Sequence, residues 1–273
     1  MEETIGTKIL KEKLPVFTNW RYLLLIYILQ FSLFIVILYF LWFITSVLWY
    51  AALIGQFAVT FIAIFPLIYL TINSNKIRNK YLRRYDRLAY QHLWYRFLSY
   101  NEPISSAGLY FIVLLHTYDF LPSIVSFPSN FMTDSLFPIF ISLPAGILFV
   151  IIGFLIRRPG GGFDVDVDSY VYLMYPEEGR EIKGGLYRFI RHPRYLGRGL
   201  IAFGLGIFSN NLLAISVSLL HFLPYYILMK FEDQELIGRF GEKFQRRHYE
   251  LPALFPRFRD WKNVIRYLFH NNR

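Results

Sequence analysis

Between Arg21 and Lys76 the chain carries no charged residue, and few folds can absorb so long a run without one. A helix needs roughly 20 apolar residues to cross the hydrocarbon core of a bilayer, so this interval holds two crossings. We place them at Tyr22 to Ile44 and Val47 to Leu70, joined by a tight turn at Thr45 and Ser46. Trp42, Trp49 and Tyr50 suit an interfacial aromatic belt. A third span is expected from about Ile104 to Leu121, with Pro103 in its first turn, and a fourth from Phe137 to Ile156. The charge-free stretch Gly199 to Met229 is broken at Ser209, Asn210 and Asn211 and reads as a helical hairpin; a single tilted span is the competing reading. The expected fold is therefore an all-α integral membrane protein of about six transmembrane segments, including a C-terminal helical hairpin, plus cytoplasmic and interfacial helices. It divides into residues 1–103, two spans with a basic cytoplasmic segment, and residues 104–273, the core that holds the chemistry.

Charged residues make up 18% of the 273, against about 25% in soluble domains, which argues against both disorder and an ordinary soluble enzyme. The formal net charge of +10 would suggest nucleic acid on a soluble domain. Its placement points elsewhere. Of the 29 lysines and arginines, 4 lie in residues 1–21, 7 in 76–96, 7 in 157–194, 1 at Arg198 and 10 from Lys230 onward. With the spans above, all of them face one side, and the loop Pro122 to Ser135 on the other side has none. The positive-inside rule makes the basic side cytoplasmic, with both termini on it, and no nucleic-acid partner is needed. The first span is too long to be a cleaved signal peptide and is expected to stay in the mature protein. Having no cysteine, the chain has no disulfide, no thiolate metal site and no thiol nucleophile.

Two segments read as membrane-surface helices. After Asp260, the residues Trp261, Val264, Ile265, Leu268 and Phe269 recur at helical spacing with Lys262 and Arg266 on the other face. From Lys76 to Tyr100, basic residues mix with Tyr81, Tyr85, Leu88, Trp94 and Phe97, a pattern suited to anionic lipid. The alternation FDVDVD at 163–168 opens like a calcium loop but lacks its turn glycine and closing glutamate, so no metal site is assigned and a short exposed strand is expected. Glu235 with Arg239 and Glu242 with Arg246 are expected to be exposed salt bridges, and the lone His116 and His221 to have packing roles.

Polar groups gather on either side of the hairpin. Before it runs GGLYRFIRHPRYLG, Gly184 to Gly197, in which glycines loosen the backbone and Pro193 biases His192 away from helical geometry. After it runs FEDQELIGRFGEKF, with Glu232 and Asp233 at the membrane boundary. A hairpin returns its ends to one surface, so the loop and the acidic pair should meet in a pocket walled by Tyr187, Tyr195 and Phe240.

These two motifs, with LPALFPRF beyond them, resemble the isoprenylcysteine carboxyl methyltransferase and phospholipid methyltransferase superfamily. Its RHPxYxG loop is met by Arg191 to Gly197, and its acidic pair leading into ExxLxxxFG by Glu232 to Gly241, over roughly the last 100 residues. The resemblance implies a membrane-embedded methyltransferase using S-adenosylmethionine in a cytoplasm-facing pocket, with a lipophilic acceptor (prenylcysteine-like, phospholipid-like or another lipid) entering from the bilayer. It implies cofactor-binding positions at Glu181, Ile182, Leu186, Tyr187, Arg191, His192, Pro193, Tyr195, Gly197, Glu232 and Asp233, with Arg191 and Glu232 as candidate catalytic residues. In the isoprenylcysteine branch an arginine four residues before the matched glutamate holds the acceptor carboxylate; Leu228 stands there in this chain, against a prenylcysteine carboxylate. Phe244 and Arg247 replace tyrosines common after the FG step. A sulfonium is cationic, so carboxylates and aromatic faces suit it. Two alternatives stay open: an NADPH-dependent membrane sterol reductase, whose C-terminal architecture is similar, and a non-catalytic membrane scaffold of the same fold.

Overall fold

The computed structural model describes residues 12–48, 50–115, 134–157, 170–178 and 181–270, and every regular element among them is helical. Among the described residues four helical stretches are long and apolar enough to cross a membrane: Trp20–Thr45, Ala51–Ile72, Ile139–Arg157 and Leu212–Phe240. The protein is a multi-pass membrane protein. Two further segments expected to span are present as shorter helices, so the described residues bear out four of the six by length and composition.

Helix α1 (Trp20–Val47) starts at Asn19, whose side chain accepts from the Arg21 amide. It runs past the turn expected at Thr45 and Ser46: the Thr45 hydroxyl donates back to Leu41 O at 2.6 Å, a bond made within a continuing helix that is closed by Leu48. Helix α2 (Ala51–Ile72) leads almost directly into α3 (Ser74–Tyr85), and α4 (Ala89–Leu93) follows. The apolar residues of the α3–α4 region, expected to face lipid, are largely turned into the protein. Ile77, Tyr81, Tyr90 and Leu93 are buried against Leu14, Val16 and the segment Val171–Met174, so these apolar residues build a protein core, while the basic residues and Leu88 are left outward. A π-helical turn, Trp94–Leu98, then leads into α5 (Asn101–Leu114), the described part of the expected third span; residues 116–121 of that span lie outside the described residues. So do His116, residues 122–133 of the loop expected on the external side and the 163–168 alternation.

Helix α6 (Ile139–Arg157) packs along α7 (Pro193–Ser209) through two glycine pairs. A Cβ on Gly153 would come within 2.7 Å of Gly197 O, and one on Gly146 within 2.8 Å of Gly204 O; the reverse placements are as close. Small residues seven apart on both helices let the backbones touch, the usual route to tight packing where lipid supplies no hydrophobic drive. On its other flank α7 meets the returning arm in the same way, Gly199 against the Phe222 ring and Gly206 against Ser218.

The hairpin forms, and the asparagines at its tip explain why. Asn210 closes α7 in left-handed backbone (φ 58°), and Asn211 caps α8 (Leu212–Leu220) by accepting from the Ala214 amide at 2.7 Å. Helix α9 (Phe222–Phe240) continues α8 across His221, a packed residue whose Nδ1 lies 3.0 Å from Gln56 Nε2 and 3.1 Å from Thr60 Oγ1. After Gly241 come α10 (Glu242–Glu250) and α11 (Trp261–His270). The stripe expected on α11 is divided: Val264 and Leu268 pack inward with Ile156, Leu186, Ile190 and Leu196, while Trp261, Ile265 and Phe269 stay exposed. Helices α1 and α2 share cores with α5 and the hairpin, which places the N-terminal region against the site described next.

Candidate functional site

Pro193 opens α7 at a position where a missing N–H costs nothing, and it holds His192 in non-helical backbone (φ −125°, ψ 62°). The stretch His192 to Gly197, expected as a loop, is therefore a helix start, and Tyr195, Gly197 and Arg198 stand at fixed angles around α7. The residues before it are held from outside. The Arg191 and His192 amides donate to Pro252 O and Ala253 O, both at 3.0 Å, and Arg191 Nε donates to Leu251 O at 3.1 Å. The LPALF segment is thus a backbone clamp on the RHP turn.

The acidic pair divides between two tasks. Successive residues of an α-helix point about 100° apart, and on α9 this turns Glu232 into a cavity and Asp233 behind it. Asp233 accepts from Arg191, lies 3.0 Å from His192 Nε2, and sits beside His248; it is 6% exposed and already counter-charged. Among the described residues Glu232 has no lysine or arginine within salt-bridge distance, and the His192 imidazole lies beside it with Nδ1 at 3.7 Å. Its Oε1 accepts instead from Tyr195 OH at 2.5 Å and Tyr170 OH at 2.8 Å. Of the two carboxylates, Glu232 is the one with charge to offer a ligand.

Tyr170 reaches Glu232 from left-handed backbone (φ 53°), at a cost of order 1 kcal/mol for a residue with a Cβ. Burial, with the Glu232 carboxylate beside it, pushes its phenol well above the usual value, so it remains a hydrogen-bond donor. Further along, Arg247 Nη1 donates to Glu181 Oε1 and Ile182 O, both at 2.9 Å, and its Nη2 to Tyr187 O. Burial alone would raise Glu181, but Lys183 at 2.9 Å and Arg247 outweigh it and hold the carboxyl below its usual range. The arginine that replaces a tyrosine in the superfamily pattern thus staples three parts of the wall. Gly185 supplies the positive φ of 60° at the turn into Leu186 and Tyr187, and a Cβ there would strike the Tyr267 hydroxyl at 2.7 Å.

These residues enclose a cavity of about 370 Å³, a size suited to a small molecule. Glu181, Ile182, Tyr187, Arg191, His192, Tyr195 and Glu232 line it, together with Phe240, Phe244 and Arg247. Leu186, Pro193, Gly197 and Asp233 stand behind the wall: Leu186 in the core under α11, Gly197 against Gly153, and Asp233 in the Arg191 clamp. Residues 179 and 180 lie outside the described residues.

The order of these parts along the chain decides the comparison. Residues 142–243 match a family model described as phospholipid methyltransferase. This segment is similar to the phospholipid methyltransferase family. It begins in α6 and ends in α10, and so holds both glycine-paired helices, the RHPRYLG start of α7, the hairpin and Glu232. The family is one of methyltransferases, and the segment that matches it lies among the apolar helices of a multi-pass chain. No curated protein and no solved structure matches the chain.

The methyltransferase segment does not close its own cavity. Gln30 on α1, Ala63, Ile64 and Leu67 on α2, and Asn101, Glu102 and Ser105 on α5 complete the wall. Motif reading misses these residues because single polar groups in apolar spans carry no pattern; Gln30, which donates to Ser99 O at 2.6 Å, and Ser105 are examples. It also misses Tyr170 and Tyr172, which follow the acidic alternation in a stretch without periodicity. Glu235 and Arg239 form the expected i, i+4 pair at 3.3 Å, yet not on the surface: their side chains are largely buried, and the Arg239 guanidinium lies over the Tyr172 ring at 4.0 Å.

Proposed function

We propose that the protein transfers a methyl group from S-adenosylmethionine to a lipophilic acceptor that reaches the cavity from the bilayer. The observation that carries this reading is the meeting of Tyr195 and His192, at the start of one hairpin arm, with Glu232, at the end of the other, inside a cavity continuous with the membrane helices. The donor set fits the cofactor. Glu232 offers negative charge, Tyr187 and Tyr195 offer aromatic faces, and the Glu181–Ile182 segment, fixed by Arg247, offers a polar edge for a nucleoside. An aromatic ring near a cation contributes about 0.5–2 kcal/mol. When bound, the cofactor supplies an electrophilic methyl on a cationic sulfonium.

The chain's own part is to bind, align and keep water out. Methyl transfer is an in-line displacement, and good alignment is worth about 7–11 kcal/mol of barrier; no protein nucleophile is assigned. Arg191, held by Asp233 and the Leu251 carbonyl, positions the RHP turn and is not placed to react. If the acceptor arrives protonated, Glu232 or His192 takes the proton. Leu228 is fully buried at the cavity wall and brings no charge for an acceptor carboxylate, which favours an acceptor other than prenylcysteine.

Calorimetry on the purified protein tests the reading. S-adenosylmethionine should bind and NADPH should not; the reverse result would replace methyl transfer with reduction. The orientation, cofactor end and both termini toward the cytoplasm, rests on the distribution of basic residues. Accessibility tags at the N-terminus, near Asn130 and at the C-terminus should report inside, outside and inside, and a tag near Asn130 on the same side as the termini would reject it.

A further inference from the structure

One end of the cavity lies beyond the groups assigned to the cofactor. There Arg198 on α7 donates to Tyr225 OH at 2.8 Å, to Ser105 Oγ at 3.1 Å and to Glu102 Oε2 at 3.0 Å, while Arg157, at the end of α6, stands 3.9 Å from Glu102 Oε1. Two guanidinium groups therefore face one carboxylate. The three side chains differ in how they are held: Arg198 is 21% and Arg157 35% exposed, whereas Glu102 is 64% exposed. Arg198 is held in the wall by two hydroxyls, Arg157 stands beside it, and the carboxylate is the most exposed of the three. The wall on from them is apolar, with Ile64, Leu67, Leu98 and Leu228. Arg157 ends the apolar run of α6, the depth at which lipid headgroups lie. Arg198 follows Tyr195 by three residues on the same face of α7, one turn from the hydroxyl that holds Glu232.

We propose that Arg157 and Arg198 form the subsite for the acidic group, phosphate or carboxylate, of the lipid acceptor, and that Glu102 occupies this subsite until the lipid displaces it. The assignment rests on reading the cavity as the acceptor site, and it gives that acceptor two parts: a chain along α2 and a negative charge about one helical turn from Glu232. It also gives the N-terminal half a task, because Glu102 and three of the four apolar wall residues, Ile64, Leu67 and Leu98, come from outside the matched family segment.

The test measures lipid binding to the purified full-length protein in neutral detergent without S-adenosylmethionine. The probes are lysophosphatidic acid, a monoacylglycerol with the same chain, and inorganic phosphate. The acidic lipid should bind about tenfold more tightly than the neutral one, the scale of one charge-assisted contact. Glu102→Gln should tighten the acidic lipid further, by roughly 5-fold or more, and leave the neutral one unchanged, because a competitor of the same charge has been removed. A gain of affinity cannot come from misfolding. Arg198→Gln should bring the two lipids level. Equal binding of both lipids to the wild type, or no gain in Glu102→Gln, would overturn the proposal. Inorganic phosphate binding as tightly as lysophosphatidic acid would overturn the lipid assignment in favour of a free anion. Failure of S-adenosylmethionine to bind, with the lipid pattern intact, would remove the methyl-transfer reading and leave the anion subsite standing.

Discussion

Glu232→Ala should abolish measurable binding of S-adenosylmethionine while leaving the protein folded. Removing one member of a desolvated charge pair costs about 2–5 kcal/mol, which is roughly 30-fold to several thousand-fold in affinity. The contrast with its neighbour makes the experiment decisive. Asp233 is committed to Arg191 and His192 behind the wall, so Asp233→Asn should lower stability through the loosened clamp and change cofactor affinity far less. Calorimetry for affinity and thermal unfolding in detergent for stability separate the two effects. Retained affinity in Glu232→Ala, or the larger loss of affinity in Asp233→Asn, would reverse the roles assigned to the pair.

The second large effect lies outside the cavity. Gly153→Leu should prevent α6 and α7 from pairing, because a Cβ alone would meet Gly197 O and the Ile201 side chain at 2.7 Å, and the further atoms of leucine have no space between the backbones. Overpacking of this kind costs about 3 kcal/mol or more. Gly184→Ala is the control: its backbone is extended at φ −85° and nothing lies within 4 Å of the added methyl, so unfolding should be unchanged. The check is the unfolding midpoint and the yield of folded protein for the two variants. A Gly153→Leu protein as stable as wild type would mean that the helices are not held at backbone distance.

How far the molecule can be read from its residues depends on whether the signal is local. The spans from Arg21 to Lys76 and from Phe137 to Ile156 are visible because their apolar runs are uninterrupted, and the hairpin is visible because two asparagines stand where one helix must close and the next must be capped. The meeting of His192 and Tyr195 with the acidic pair follows from that hairpin alone. Where a feature depends on distant partners, the pattern misleads or stays silent. The charge mixture of residues 76–100 suggests a lipid contact, yet Tyr90 and Leu93 are buried because Leu14 and Val171 come from far along the chain to cover them. Nothing local marks Tyr170 as a donor to Glu232, or Arg198 as the centre of a polar cluster drawn from three other helices. Even adjacency is not enough: Glu232 and Asp233 read as equivalent, and only the rotation between successive helical positions assigns one to the ligand and the other to the scaffold.

The glycines of α7 bear on how a bulky lipid gets in and out. With Gly197 and Gly204 against the main chain of one neighbour, and Gly199 and Gly206 against the Phe222 ring and the Ser218 side chain of the other, this helix is held closely on both flanks, and sliding or tilting it brings collision. His192, Tyr195 and Arg198 therefore form the stationary jaw of the cavity. Widening falls to the opposite jaw, built by α1, α2 and α5, where the contacts are made by adjustable side chains such as Gln30 and Glu102. On the proposed function, admission of the lipid would be a matter for the part of the chain outside the family segment, and the chemistry for the part inside it.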